Sequence, residues 1–237
     1  MRIVVTRPQA DAERTAGILR QRGHEVLVAP LMRVEPIAAD LEGNWGAVVI
    51  TSANAPAAIK DNPARAPLLK LKLFAVGERS AAAARVAGFA NVESAGGDVH
   101  DLTQFIGEQV RDKAPPLLYL AGEDRAADLI DELAEHGIKA EMRIVYRAVT
   151  APFPGALIAA LTAGAIDAVL HYSRRSADNY VAGATLAGIA EAALAPRHVC
   201  LAEAVAAPLV RAGAARIAVA PYPDEAALIE LLAPPRG

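Results

Sequence analysis

Arg2-Ile3-Val4-Val5-Thr6, then Asp11 to Arg22, then Gly23 and Glu25-Val26-Leu27-Val28-Ala29 form the stretch from which the architecture follows. The first run is short and β-branched, Ala12, Thr15, Ala16 and Leu19 fall at helical spacing, and Gly23 closes the helix before a second extended run. The order is strand, helix, strand. Leu117 to Leu120, Ala126 to Glu135, Gly137 and Lys139 to Val145 repeat it. The two units end alike, in Leu31-Met32-Arg33-Val34 and in Ile144-Val145-Tyr146-Arg147. The parallel extends outward: Ala47 to Ala55 matches Ala168 to Ser176, and Leu73 to Ser80 with Gly88 matches Val199 to Glu203 with Gly213. An offset of about 114 to 125 residues is long for a solenoid period and suits duplication of an α/β half.

Strands alternate with helices throughout, and Ala47 to Ile50 and Ala168 to Leu170 are continuous apolar runs rather than alternating ones. Such strands are covered on both faces, which predicts parallel sheets flanked by helices and hence two doubly wound, flavodoxin-like lobes. In such sheets ligands sit beyond the carboxyl ends of the strands, so the functional residues belong in the turns that follow them.

Composition bounds the chemistry. With 237 residues, 54% hydrophobic and 22% charged, the chain can bury a core without staples. A net charge of -3 supplies no basic field for nucleic acid. Cys200 is the only cysteine, which excludes an intrachain disulfide framework and multi-Cys metal sites and fits a reducing cytosol. The start, Arg2 and then Ile3 to Val5 before Thr6-Arg7-Pro8, has no signal-peptide apolar region. The uncharged stretch from Ala148 to Ile166 is interrupted by Pro152, Pro154, Gly155 and Gly164, and reads as a linker and an Ala-rich helix rather than a membrane span. After the first strand there is no Gly-x-Gly-x-x-Gly, and neither a Walker motif nor a Gly-x-Ser-x-Gly elbow occurs. The five His residues show no metal-ligand spacing.

What remains is a set of polar turns at strand ends: Thr51-Ser52-Ala53-Asn54, Gly77-Glu78-Arg79-Ser80, Gly122-Glu123-Asp124-Arg125 and Ser173-Arg174-Arg175-Ser176. Free N–H groups at helix starts, with hydroxyls beside them, bind carboxylate or phosphate oxygens without a dedicated cation. Ordinary N-capping accounts for any one of these turns equally well. Four at comparable places in two lobes point to a shared cleft for a polyanion. Arg7 stands at the end of the first strand, placed either for bidentate carboxylate recognition or for an ion pair with Asp11 or another acid. Tyr146 is a candidate proton donor beside Arg147, or a ring packed against a hinge. The Arg174-Arg175 pair faces either a cleft or solvent.

Taken in order, these residues resemble the uroporphyrinogen-III synthase family. The resemblance rests on Val5-Thr6-Arg7-Pro8, Ile50 to Ala55, Ala75 to Ala81, the Gly122-Glu123 turn with Arg125, Val145-Tyr146-Arg147, and Ser173 with Ser176, and it spans nearly the whole chain. One departure stands out: where the family commonly has Gly and Thr, this chain has Leu201 to Ala207, so a contact there must come from backbone N–H groups. The resemblance implies two α/β lobes joined by a two-stranded connector, one lobe taking residues 1 to 34 and 148 to 237 and the other 35 to 147. It implies cyclisation of hydroxymethylbilane with loss of water and inversion of the last pyrrole, through an azafulvene and a spiro intermediate, to uroporphyrinogen III. No metal or other cofactor is expected. Tyr146 would assist departure of water, and Arg7, Thr51, Ser52, Asn54, Gly77, Glu78, Ser80, Gly122, Arg147, Ser173 and Ser176 would bind the substrate. A monomeric cytoplasmic enzyme, away from nucleic acid and membrane, is the expectation. A non-enzymatic two-lobed binder of an anionic metabolite, or an inactive paralogue of the synthase, stand as alternatives.

Overall fold

The computed structural model describes residues 1–110, 114–124 and 128–232. Its elements in chain order are β1 (Arg2–Val5), α1 (Gln9–Gln21), β2 (Glu25–Val28), β3 (Met32–Pro36), β4 (Val48–Ile50), α2 (Asn54–Ala58), α3 (Arg65–Leu68), β5 (Lys72–Ala75), α4 (Glu78–Val86), β6 (Asn91–Ser94) and α5 (Val99–Gln109). They continue with β7 (Leu117–Gly122), α6 (Asp128–Glu135), β8 (Ala140–Thr150), α7 (Gly155–Thr162), β9 (Ala168–His171), α8 (Arg174–Leu186), α9 (Ala190–Leu194), β10 (Arg197–Cys200), α10 (Glu203–Arg211), β11 (Ile217–Val219) and α11 (Glu225–Glu230).

The chain forms two compact units, Met1–Arg33 with Val149–Gly237, and Val34–Ala148. In the first, the sheet order is β11-β10-β9-β1-β2, and all four neighbouring pairs are parallel. Counted along the chain this is the 2-1-3-4-5 order of flavodoxin-like sheets. In the second unit the order is β3-β8-β7-β4-β5-β6, and the pairs from β8 to β6 are parallel. If β7 and β8 take the places of β1 and β2, and β4, β5 and β6 those of β9, β10 and β11, the neighbour relations of the two sheets coincide. Except for β6 and β11, these are the segment pairs that the sequence duplication matched.

The continuous apolar runs are two-faced because both faces are covered. Val48 and Ile50 pack into one cluster with Leu41, Phe89 and Leu118, while Ala47 and Val49 pack into another with Phe74, Leu102 and Leu133. Val4 and Val169 likewise face one cluster of the first unit, and Ile3, Val5 and Leu170 the other. Gly23 and Gly137 have φ of 82° and 74°, and Gly88 and Gly213 have 94° and 87°, the left-handed backbone that ends a helix at the lowest cost when no Cβ is present.

The two matched units differ at their ends. In one, Pro30 provides no N–H for the ladder, and the strand breaks into β2 and β3. In the other, β8 runs uninterrupted to Thr150, four residues past Tyr146. The Ile37 N–H donates to the Val145 carbonyl and the Ala151 N–H to the Leu31 carbonyl. One index falls as the other rises, so β3 lies antiparallel to β8, and this pair carries the chain between the two units. Among the described residues, no helix is long and apolar enough to cross a membrane.

Candidate active site

In the first unit β1, β9 and β10 are neighbours, and their carboxyl ends lead into the turns carrying Arg7, Ser173 and Ala202. Thr6 is fully buried, and its hydroxyl donates to the Leu170 carbonyl at 2.9 Å, tying β1 to β9. The Ser176 hydroxyl, also buried, lies 3.1 Å from Thr6 Oγ1 and 3.3 Å from the Thr6 carbonyl. Ser173 caps α8, its Oγ accepting the Ser176 N–H at 3.1 Å. Both serines therefore do structural duty at the strand-helix turn. Ser176→Ala is expected to cost about 1 kcal/mol of folding stability, the usual net value of such a bond, measurable by urea unfolding.

The β10–α10 turn departs from that pattern. Ala202 occupies the N-cap with extended backbone and no side-chain cap. The first helical bonds are those of the Val205 and Ala206 N–H groups to the Ala202 carbonyl. The N–H groups of Glu203 and Ala204 thus precede the helical ladder, and any contact at this turn is a backbone contact.

Arg7 meets Asp11, as one reading of the sequence expected, and also side chains that the sequence did not connect to it. Its Nη1 donates to Glu225 Oε1 at 2.9 Å and to the Thr15 hydroxyl at 3.3 Å, and its Nη2 lies 3.9 Å from Asp11. The guanidinium carbon sits 4.1 Å from the centre of the Tyr172 ring. Burial raises the Glu225 carboxyl, but the bonds from Thr15 and Arg14 and the two guanidinium charges outweigh it and hold the group below the usual carboxylate range. Burial, reinforced by the Glu225 charge, pushes the Tyr172 phenol up.

In the second unit β8, β7, β4 and β5 are neighbours, which brings Tyr146, within β8, alongside the carboxyl ends that lead to Gly122, Thr51 and Gly77. Thr51 Oγ1 and the Tyr119 hydroxyl are 2.8 Å apart. Ser52 Oγ accepts the Asn54 N–H at 3.3 Å, a local turn bond that sets the start of α2. Gly77 is the N-cap of α4 and offers no side-chain cap, so the N–H groups of Glu78, Arg79 and Ser80 precede the first helical bond, from Ala81 to the Gly77 carbonyl. Ser80 is buried, and Glu78 is exposed and paired with Arg85. Arg125, in the turn after Gly122, lies outside the described residues.

Gly122 and Tyr146 fit closely against one another. The β7–β8 register shifts between Ala121 and Gly122, which sets Gly122 opposite Tyr146, and the Glu123 N–H donates to the Tyr146 carbonyl at 3.0 Å. A Cβ placed on Gly122 would lie 2.5 Å from Tyr146 Cζ and 2.7 Å from its hydroxyl oxygen. The ring, 9% exposed, uses the space that glycine leaves. Arg147, next on β8, is exposed and pairs with Glu35 at 3.3 Å.

Cys200 is buried in the first unit. Burial pushes the Cys200 thiol up to about 12, which removes it as a nucleophile near neutral pH. Among the described residues no group of three or more His, Cys, Asp or Glu could hold a metal ion.

The sequence matches the family model of uroporphyrinogen-III synthase HemD over residues 13–230. Among solved structures, the fold is similar to a uroporphyrinogen-III synthetase from Helicobacter pylori 26695, with 18% identity, 98% of each chain covered and a TM-score of 0.63. A mutant uroporphyrinogen III synthase from the extremely thermophilic bacterium Thermus thermophilus aligns over 98% of this chain and 96% of its own, at 16% identity and a TM-score of 0.46. No curated protein sequence matches.

Proposed function

Because the chain belongs to the uroporphyrinogen-III synthase family of cyclising lyases in tetrapyrrole biosynthesis, we propose that its strand-end turns hold hydroxymethylbilane and Tyr146 assists its dehydration. The reaction closes the linear tetrapyrrole with loss of water and inverts the last ring, giving uroporphyrinogen III. The family match over residues 13–230 is the observation that carries this function.

The substrate bears eight carboxylates and is reactive on its own, closing without a catalyst to the symmetrical type I ring. The enzyme's work is then mainly orientation, so that the substituted α-carbon of the last pyrrole attacks the electron-poor terminal carbon. Backbone N–H groups at the starts of α4 and α10, and the turns at Thr51-Ser52-Asn54, Gly122 and Ser173, suit carboxylates because the helix-start dipole favours anions. Arg7 and Arg147 add cationic donors, each already steered by a carboxylate of its own unit. Glu78 and Ser80 contribute through their N–H groups, and Ser176 by fixing the turn that Ser173 caps.

When the carbon–oxygen bond of the hydroxymethyl group breaks, the departing hydroxyl needs a proton, and the Tyr146 phenol supplies a hydrogen bond for it. Such assistance is worth about 10² in rate. Tyr146→Phe is accordingly expected to lower kcat by about that factor. A wild-type steady-state rate in the variant would remove Tyr146 from the mechanism. The enzyme is proposed to work as a monomer in the cytoplasm, a compartment that suits its single, buried cysteine.

The test is incubation of the protein with freshly generated hydroxymethylbilane and chromatographic separation of the ring isomers. Type III ring is expected. Type I ring alone would instead support a binder without activity or an inactive paralogue.

A further inference from the structure

The Glu225 carboxylate gathers donors from three parts of the first unit. Its Oε1 accepts from Arg7 at 2.9 Å, from Thr15 at 2.6 Å and from the Tyr172 hydroxyl at 3.1 Å, and its Oε2 accepts from Arg14. Arg7 belongs to the turn after β1, Arg14 and Thr15 to α1, and Tyr172 to the turn after β9, next to the capping residue Ser173. Glu225 itself is the first residue of α11, set by the Asp224 cap. A contact spanning 218 residues thus brings the start of the last helix back to the β1–β9 end of the sheet.

The result for Arg7 is a guanidinium fixed on two sides. One face rests on the Tyr172 ring, and the Nη1 edge is spent on Glu225 and Thr15. Nε and Nη2 make no hydrogen bond among the described residues, and Nη2 keeps only the longer ion pair with Asp11 at 3.9 Å. A planar fork with one edge anchored by short hydrogen bonds and the other holding no hydrogen bond is preorganised for a carboxylate, since little rotamer freedom is left to lose on binding. Glu225 is shared between Arg7 and Arg14, and Asp11 lies 3.9 Å from Arg7 Nη2.

We propose that Glu225 is a positioning residue: it anchors Arg7 against Tyr172 so that Nε and Nη2, which make no hydrogen bond among the described residues, take one carboxylate of the substrate. The inference rests on the synthase reading and deepens it. Glu225 acts through Arg7 and touches no reacting atom, so its effect appears in substrate affinity and not in the chemical step.

A double-mutant cycle on the full chain tests it, with KM and kcat for hydroxymethylbilane measured for wild type, Arg7→Ala, Glu225→Gln and the double variant. KM is expected to rise about tenfold in each single variant, in line with the loss of a charge-assisted bond, with kcat within about twofold of wild type. In the double variant KM should equal that of Arg7→Ala, because nothing is left to position. An unchanged KM in either single variant, or KM effects that multiply in the double variant, overturns the proposal. If Glu225→Gln does not fold by circular dichroism, Tyr172→Leu takes its place in the same cycle, with the same expected and overturning results. Failure of the wild type to form type III ring refutes the synthase reading, and the inference with it. Uncoupled KM values in an active enzyme refute the inference alone.

Discussion

Gly122→Ala is expected to cost turnover at least as dearly as removing the Tyr146 hydroxyl, a loss of about 10² or more in kcat. The added methyl would sit 2.5 Å from Tyr146 Cζ, a separation that non-bonded carbons do not adopt, and the backbone cannot yield easily because Gly122 is paired in the β7–β8 ladder. The atoms in conflict are at the far end of the tyrosine, so the ring swings and its hydroxyl moves with it. The stability cost stays within the range of ordinary overpacking, about 1 to 3 kcal/mol. The expected signature is a folded protein with near-normal secondary structure and little activity. Wild-type kcat in Gly122→Ala would show that the position of the Tyr146 hydroxyl does not matter.

The second large effect is acid lability of the first unit. His171 and His198 are fully buried, with Nε2 of one 3.1 Å from Nδ1 of the other, and both rings pack against Tyr180. Burial pulls His198 down to about 4, and burial together with the neighbouring His198 pulls His171 well below its ordinary value. Both rings are therefore neutral in the folded protein at neutral pH, whereas the unfolded chain takes up protons near pH ~6.5. Stability from this pair is complete above that pH and is lost as pH falls from about 6.5 toward 4. For His198 alone the difference is worth about 3 kcal/mol. His24, also lowered by burial, adds a contribution of the same sign. The depressed carboxylates Glu225, Glu93 and Asp98 lose their contribution only below the carboxylate range, so the interval from about pH 7 to about pH 5 isolates the histidines. Urea unfolding across that interval should show falling stability in the wild type and a flatter profile in His198→Leu. An equal slope in both would contradict the assignment.

The fold class was legible because its signals are local. Runs such as Ala47 to Ile50 must be covered on both faces, and the paired glycines Gly23 and Gly137 mark equivalent helix ends whatever surrounds them. The turns were legible for the same reason, since polar residues after an apolar strand sit at its carboxyl end. What each polar group does there was less accessible. Ser173 has the spacing of a cap and of a ligand alike, and only the 3.1 Å bond from Ser176 shows that it caps. Arg7 pairs with Asp11, as its i,i+4 spacing allows, but its shorter bond is to Glu225, and no periodicity or motif joins residues so far apart. The closeness of Gly122 to Tyr146 depends on a one-residue register shift, which the composition of the two strands does not encode. The histidine pair was hidden too: His171 and His198 meet only because β9 and β10 are adjacent and in a particular register.

The central claim is that the enzyme chooses the isomer by holding the bilane, while Tyr146 affects only how fast water leaves. The most direct measurement is the isomer ratio produced by Tyr146→Phe with enzyme in excess over freshly generated hydroxymethylbilane, so that every substrate molecule is bound before it closes. The account predicts slow formation of a product that is still the type III ring. Type I ring as the main product of the bound substrate would contradict it.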